Sequence, residues 1–264
     1  MAPGPRRRPL VSGNWKMHHD HLQSIRTVQD LGLRITAADV GPLDVSIHPP
    51  FTDLRSVQTV LEDRAIPVSL GAQHCFSEDE GPYTGEVAPP MLARLGVSYV
   101  IVGHSERRQF FAMTDEQVAA TLRAVLRHGM APIVCVGETE EEREAEETET
   151  RLTAQTTAAL KGLPEEQAAG LVLAYEPIWA IGTGRTATGD DAQAACLHIR
   201  TVVGELAGDS AAQAVRIQYG GSVRPENTAE LMRQRDVDGL LVGGASLDAA
   251  VFAAIIREAG TAVR

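Results

Sequence analysis

The sequence predicts one α/β domain in which eight parallel strands alternate with helices and close into a (β/α)8 barrel. The first observation is the alternation itself, because apolar runs of strand length and segments of helical apolar spacing follow one another along the chain. The second is the length of 264 residues, which suits a single closed barrel. The third is the composition: hydrophobic residues make up 44% and aromatic residues only 4%, which is typical of buried parallel strands.

The predicted strands are short apolar runs bounded by turn-forming residues. Pro49 and Pro50, for example, end the second strand because proline cannot donate a hydrogen bond to a sheet. The eight runs cover residues 10–13, 43–47, 66–70, 97–102, 131–136, 171–174, 215–219 and 239–242.

The predicted helices place apolar residues three or four positions apart. The first follows Asp20, a favourable N-cap, and carries Leu22, Ile25, Val28, Leu31 and Ile35. The later helices cover residues 52–61, 114–127, 140–160, 190–206, 225–233 and 247–257. The connection at residues 73–90 is longer than its neighbours need, and loops of that length in a compact domain are usually functional.

No linker or shift in composition divides the chain, so residues 1–264 are predicted to form a single domain. Residues 1–8, with Arg6, Arg7 and Arg8, are expected to be a flexible, solvated tail. No signal peptide or membrane-spanning segment is expected. Three widely spaced cysteines indicate reduced thiols and a cytoplasmic protein; they are Cys75, Cys135 and Cys196.

The formal net charge is −11, which argues against a nucleic-acid partner because phosphates attract a basic surface. The same negative field repels an anionic substrate. A phosphate site in this protein therefore has to be built locally, from backbone amides and one or two cations.

Glu176 stands where the sixth apolar strand ends. Pro177 stops the strand, and residues 178–181 are apolar enough to cover a site, with Gly182 and Gly184 supplying a hinge or a bare amide. This arrangement predicts a carboxylate base under a lid. The alternative is a strand end whose Glu points into water, as most Glu side chains do.

Residues that follow the strands of a (β/α)8 barrel converge on one rim. Lys16 is a compact point charge that suits an oxygen whose charge changes during a reaction, although it could be a solvated ammonium. His104 precedes a predicted helix start, where backbone donors favour a neutral ring, although a structural role is the usual one for a lone His. Glu106 could pair with Lys16 or with its neighbouring arginines. Asn14 lies on the same rim.

Glycine pairs after the last two strands expose backbone amides where barrels commonly bind phosphate. They are Gly220 with Gly221, followed by Ser222, and Gly243 with Gly244. A metal site is not expected. The cluster of His18, His19 and His21 with Asp20 lacks a histidine pair at i and i+4, and we interpret these residues as surface groups at a helix start.

Five motifs together closely resemble the triosephosphate isomerase family over residues 10–256. They are Asn-Trp-Lys-Met at 14–17, Gly-His-Ser-Glu-Arg-Arg at 103–108, Ala-Tyr-Glu-Pro-Ile-Trp-Ala-Ile-Gly-Thr-Gly at 174–184, Ile-Gln-Tyr-Gly-Gly-Ser-Val at 217–223 and Leu-Val-Gly-Gly-Ala-Ser-Leu at 241–247. The resemblance implies the TIM barrel fold and the interconversion of dihydroxyacetone phosphate and D-glyceraldehyde 3-phosphate through an enediolate. A neutral histidine and a closing loop are known features of that family.

The resemblance also implies roles for individual residues. Glu176 would move the proton between carbons, neutral His104 would polarise the carbonyl, and Lys16 with Asn14 would stabilise the negative charge. Glu106 would hold Lys16 or assist proton transfer. A lid over residues 177–187 would exclude water, and the substrate phosphate would be held by Gly182, Ser222, Gly243 and Gly244. No metal or organic cofactor is expected.

The family is usually a homodimer in which the loop at residues 73–87 docks into the partner beside Asn14 and Lys16. This sequence departs from the usual residues at His18, His74, Ala112 with Met113, and Arg185, which puts partner packing and the exact sugar phosphate in question. One alternative function is isomerisation of a longer ketose phosphate such as a tetrulose phosphate. Another is a phosphate-binding barrel without turnover, which would be expected to have lost Glu176, His104 or Lys16.

Overall fold

The structure is a computed structural model that describes residues 7–182 and 185–263. Eight parallel strands form a closed barrel in chain order, with β8 paired to β1. The strands are β1 (Leu10–Asn14), β2 (Asp44–His48), β3 (Ser69–Ala72), β4 (Tyr99–Val102), β5 (Ala131–Val136), β6 (Val172–Tyr175), β7 (Arg216–Tyr219) and β8 (Gly239–Val242). The predicted (β/α)8 barrel is confirmed.

Helices surround the barrel. They are α1 (His21–Arg34), α2 (Ala37–Val40), α3 (Leu54–Asp63), α4 (Pro89–Arg94), α5 (Ser105–Phe111), α6 (Asp115–Arg127), α7 (Glu140–Glu144), α8 (Thr148–Leu160), α9 (Glu165–Ala169), α10 (Gly189–Ala207), α11 (Asp209–Ala214), α12 (Pro225–Met232) and α13 (Ala249–Ala262). Short 3-10 turns cover Phe51–Asp53, Ile178–Ala180 and Gly244–Leu247. Among the described residues no helix is long and apolar enough to cross a membrane.

The interior of the barrel is aliphatic, with a few polar side chains that form hydrogen bonds there. Its apolar side chains include Leu10, Ile101, Ile133, Val172 and Leu241, and all are buried. Near the base, the Ser46 hydroxyl donates to Ser12 Oγ at 2.9 Å, and Gln218 Nε2 donates to the same oxygen at 2.9 Å. A larger apolar cluster fills the space between strands and helices. The strands whose carboxyl ends carry the predicted site residues are therefore packed on both faces.

Helix starts follow the capping chemistry of the sequence. Asp20 caps α1 and receives hydrogen bonds from the amides of Leu22 and Gln23, as predicted. α10 begins at Gly189, one residue earlier than Asp190, because Thr188 caps it and pairs reciprocally with Asp191.

Two element predictions are wrong for identifiable reasons. The single helix at residues 140–160 is two helices, α7 and α8, because Glu146 adopts a left-handed backbone conformation (φ 58°) that ends the first. The third strand begins at Ser69 rather than at residue 66. The Ile66 side chain instead packs against Gly32 of α1, where an added Cβ would lie 2.6 Å from Ile66 Cδ1.

The predicted flexible tail at residues 1–8 is also wrong for its last two residues. Arg7 Nε donates to Asp238 at 2.6 Å, and Arg8 Nε donates to Asp44 at 2.6 Å. These carboxylates lie at the amino ends of the strands and hold the chain where it enters β1. Residues 1–6 lie outside the described part.

Candidate active site

A cavity of about 330 Å³ opens at the carboxyl end of the barrel. It is lined by nearly all the residues that the sequence predicts for the site: Asn14, Lys16, His104, Glu176, Gly182, Ser222, Gly243 and Gly244. The remaining predicted residue, Glu106, contacts Lys16 at the margin of the cavity. Groups that are up to 230 residues apart in the chain therefore meet around one space.

Glu176 follows β6 directly and is buried, with 2% of its surface exposed. Its backbone amide donates to the carbonyl of Val136 at 2.8 Å, which fixes the residue beside β5. Ser105 donates to the carboxylate twice, from its amide to Oε2 at 2.8 Å and from its hydroxyl to Oε1 at 3.2 Å. The carboxylate points into the barrel mouth, so the alternative of a solvated strand end is excluded.

The pKa of Glu176 reflects opposing effects. Burial raises it, whereas His104 and the amide of Ser105 lower it, and the net result is a pKa below the ordinary value. The carboxylate is therefore ionised at neutral pH in this arrangement.

His104 caps α5, and its ring lies between two neighbours. The amide of Glu106 donates to Nδ1 at 3.3 Å, which requires an unprotonated Nδ1, and Nε2 lies 2.9 Å from Glu176 Oε1. Nε2 is then the nitrogen that carries the proton. Burial lowers the pKa of His104, but the carboxylates of Glu176 and Glu106 outweigh it and raise the pKa while His104 and Glu176 face each other.

Lys16 is held in an uncommon conformation. Its backbone has a φ of 54°, in the left-handed region that few non-glycine residues adopt. The amide of Lys16 donates to Asn14 Oδ1 at 3.0 Å, and Gln73 Nε2 donates to the Lys16 carbonyl at 2.7 Å. The ammonium lies 2.7 Å from Glu106 Oε1, so of the two pairings left open by the sequence the structure has the one with Lys16.

Gln73 is a residue that the sequence did not single out. It begins the long loop after β3 and also donates to the carbonyl of His48 at 2.9 Å, so it ties the conformation of Lys16 to β2. The one signal in the sequence was its position, because Gln73 directly follows the third strand.

Glycine backbone after β7 and β8 forms part of the cavity wall. Gly243 lies close to Lys16, because a Cβ added there would stand 3.5 Å from Lys16 Cε and 3.8 Å from Nζ. Beyond it, Gly244 begins a 3-10 turn, and a Cβ there would meet open space. This wall offers amides and one nearby ammonium, the groups that bind phosphate in proteins.

The predicted lid begins with a 3-10 turn at Ile178–Ala180, and its Gly182 has a left-handed backbone (φ 73°) and lines the cavity. Thr183 and Gly184 lie outside the described residues. Trp179 Nε1 and the Tyr175 hydroxyl both donate to Glu138 Oε1, at 2.8 and 2.9 Å. The foot of the lid is therefore anchored to the segment after β5.

Cationic groups also contact the foot of the lid. The Arg143 guanidinium lies 4.3 Å from the centre of the Trp179 ring and donates to Asp191 at the start of α10 at 2.7 Å. Arg185 lies 5.7 Å from the same ring and pairs with Glu140. The sequence did not predict these contacts, because no local pattern distinguishes Glu138 and Arg143 from their charged neighbours.

Two members of the histidine cluster have structural roles, and His18 and His21 are exposed. The ring of His19 packs edge-on against Trp15, with ring centres 5.2 Å apart, and Asp20 caps α1. No group of three or more His, Cys, Asp or Glu side chains could hold a metal ion anywhere in residues 7–182 or 185–263.

The family model and the relatives reported below belong to the same family. The family model described as triosephosphate isomerase matches residues 9–259. The chain is 51% identical to triosephosphate isomerase of Corynebacterium efficiens over 257 residues, covering 97% of this chain and 98% of the relative. It is 50% identical to the enzymes of the same name from Cutibacterium acnes and Streptomyces avermitilis, in each case over 95% of this chain and 97% of the relative.

Proposed function

The chain belongs to the triosephosphate isomerase family, and we propose that it interconverts dihydroxyacetone phosphate and D-glyceraldehyde 3-phosphate through an enediolate. One observation carries the proposal. Glu176, His104 and Lys16 line one cavity of about 330 Å³ whose wall also includes glycine backbone at Gly220, Gly221, Gly243 and Gly244. A base, a hydrogen-bond donor for a carbonyl and a cation are what proton transfer next to a carbonyl requires.

Glu176 is the proposed base. In the present arrangement Ser105 and His104 occupy both oxygens of its carboxylate. To reach a substrate carbon, the side chain has to leave the Ser105 amide, which is one of the groups that lower its pKa. Leaving that donor makes the carboxylate a stronger base at the moment when it meets the substrate.

His104 is the proposed donor to the substrate oxygen. The amide of Glu106 keeps Nδ1 unprotonated, so Nε2 carries the proton that a carbonyl oxygen would accept. Once a substrate oxygen replaces the Glu176 carboxylate at Nε2, the main influence that raises the pKa of His104 moves away. The ring then acts as a neutral donor and acceptor that can carry protons between the two oxygens of the enediolate.

Lys16 and Asn14 are proposed to stabilise the negative charge of the enediolate. The backbone strain at Lys16 is held by Asn14 and Gln73, and Glu106 fixes the ammonium, so little reorganisation is needed when charge develops. Gly182, Ser222, Gly243 and Gly244 are proposed to bind the phosphate through their backbone, since they line the same cavity. This reaction moves a proton between adjacent carbons and needs no metal or organic cofactor.

The lid is proposed to close over the bound substrate. An enediolate exposed to water loses its phosphate, so exclusion of water protects the intermediate. Closure that moves Trp179 has to break its hydrogen bond to Glu138 and its stacking with Arg143, two contacts that hold the foot of the lid in the present arrangement.

We also propose a cytoplasmic homodimer in which residues 73–87 dock into the partner. Apolar side chains are exposed on the same side of the barrel: Met17 (95% exposed), Tyr83 (43%), Phe110 (68%) and Phe111 (67%). His74, at the base of this loop, is buried, and burial lowers its pKa to about 3. An uncharged His74 adds no positive charge to the proposed interface.

The experiment that tests the activity compares two substrates on the purified protein. Isomerisation of D-glyceraldehyde 3-phosphate should exceed that of a tetrulose phosphate in kcat/KM. A preference for the tetrulose would assign the chain to a longer ketose phosphate, and no turnover of either would leave a phosphate-binding barrel.

A further inference from the structure

The charges that line the active-site cavity are unequally compensated. The ammonium of Lys16 is 2.7 Å from the Glu106 carboxylate, and His104 faces Glu176 at 2.9 Å, so each of these groups has an opposite partner. Arg224 also lines the cavity and is exposed. Within the described part of the chain its guanidinium forms no ion pair.

The backbone of Arg224 is tied to the glycine-rich segment after β7. Its amide donates to Asn227 Oδ1 at 2.8 Å, and Nδ2 of the same Asn227 donates to the Ser222 carbonyl at 3.0 Å. The Thr228 hydroxyl donates to the Arg224 carbonyl at 2.7 Å. The backbone of Arg224 is thus fixed beside Ser222 at the mouth of the cavity, and the side chain is exposed there.

The guanidinium of Arg224, which has no ion-pair partner among the described residues, could offset the repulsion between the protein and an anionic substrate. The net charge of −11 repels a doubly charged phosphate ester, and the ion-paired Lys16 adds little attraction at a distance. We propose that Arg224 attracts the phosphate of the substrate to the cavity mouth and thereby sets the rate and affinity of capture, without taking part in proton transfer. This inference rests on the proposed function.

The test compares R224Q with R224K and R233Q. Arg233 follows α12 at its other end, and the eight residues of this helix span about 12 Å, so R233Q removes one charge from the far end of the same helix. At low ionic strength R224Q should lower kcat/KM for D-glyceraldehyde 3-phosphate about three- to tenfold, mainly through KM, with kcat within about twofold of the wild type. R224K should retain most of kcat/KM, and R233Q should lose distinctly less than R224Q, because its charge is lost farther from the cavity.

Salt provides the second measurement. The screening length is about 30 Å at 0.01 M and about 3 Å at 1 M ionic strength, so the deficit of R224Q should shrink to less than about twofold at the higher salt. A deficit in R224Q that is equal to that of R233Q, or that is independent of salt, would overturn the proposal. So would a loss that appears in kcat alone.

Binding of glycerol 3-phosphate, measured by calorimetry, separates this proposal from the proposed function. If the wild type fails to isomerise but R224Q still weakens glycerol 3-phosphate binding at low salt, capture by Arg224 stands and the isomerase assignment fails. If the wild type isomerises and R224Q binds and turns over like R233Q, the assignment stands and the role of Arg224 fails. If the wild type neither isomerises nor binds glycerol 3-phosphate, both are wrong.

Discussion

Ser105 donates two hydrogen bonds to Glu176, so the first residue of α5 holds the carboxylate at the end of β6. Together with His104, the Ser105 amide keeps the pKa of Glu176 below its ordinary value despite burial. The contact joins the ends of β4 and β6, which flank β5, and it sets both the position and the charge of the proposed base.

The first prediction concerns stability against pH. Because the pKa of Glu176 is lower in the folded than in the unfolded protein, its ionised form stabilises the fold. That contribution is complete above the ordinary pKa of 4.5 and is lost as the pH falls through the folded-state value. We expect the free energy of unfolding of the wild type, relative to E176Q, to decline as the pH is lowered below 4.5, measured by urea titration. A difference that grows with acidity would contradict the direction of the shift.

The second prediction concerns turnover. E176Q removes the proposed base while keeping the size of the side chain, and kcat should fall by about 100- to 10,000-fold, the range that general acid–base catalysis contributes. E176D should also lose activity, because its shorter side chain places the carboxylate away from the substrate carbon. Circular dichroism should confirm that both variants fold. Near-normal kcat in a folded E176Q would show that Glu176 is not the catalytic base.

The third prediction concerns Gly137, which packs against the backbone of Glu176. A Cβ at this position would lie 1.8 Å from the Glu176 carbonyl oxygen, so G137A has to displace one of the two segments. We expect G137A to lower the free energy of unfolding by about 1–3 kcal/mol or more, together with a fall in kcat. Denaturant titration and steady-state kinetics measure the two effects.

The control for G137A is G204A, in the interior of α10. There a Cβ would lie 3.5 Å from Ala212 Cβ, an ordinary contact, and alanine should stabilise the helix by about 0.5–1 kcal/mol. If G137A and G204A had equal free energies of unfolding, the segments at Gly137 and Glu176 would be able to move apart without loss of stability.

The fourth prediction concerns assembly. Y83D puts a charge on the loop at residues 73–87 and should convert a dimer into a monomer with reduced kcat/KM, measured by sedimentation velocity at the assay concentration. L206D adds a charge at a half-exposed leucine of α10, in the sixth unit of the barrel, and should remain dimeric. Full activity in a wild-type protein that sediments as a monomer would refute the need for the dimer.

The sequence was sufficient for the barrel and for the residues at its rim. Glu176, His104 and Lys16 follow buried apolar strands, and the geometry of a closed barrel brings such positions together whatever their separation in the chain. Their roles in the reaction remain predictions. The barrel and its rim residues could therefore be predicted because they follow from the apolar pattern of the strands and from the topology of the barrel.

The supporting contacts could not be predicted in this way. Gln73 reaches the Lys16 carbonyl across 57 positions, and Ser105 reaches Glu176 across 71, through side chains of common polar types. No local pattern distinguishes such residues from solvated ones. The break at Glu146 is similar, since its neighbours favour a helix and only the three-dimensional path of the chain requires the left-handed turn.

The pairing of β1 with β8 has a consequence for the order of the chain. The first and last units are neighbours like any other pair, and α13 packs against α1 across the junction. A circularly permuted gene that joined the present ends and opened the chain at another helix-to-strand connection would preserve every neighbouring pair of strands and the strand-to-helix loops that carry the site. The reacting groups would then meet around the same cavity although the chain starts at a different point.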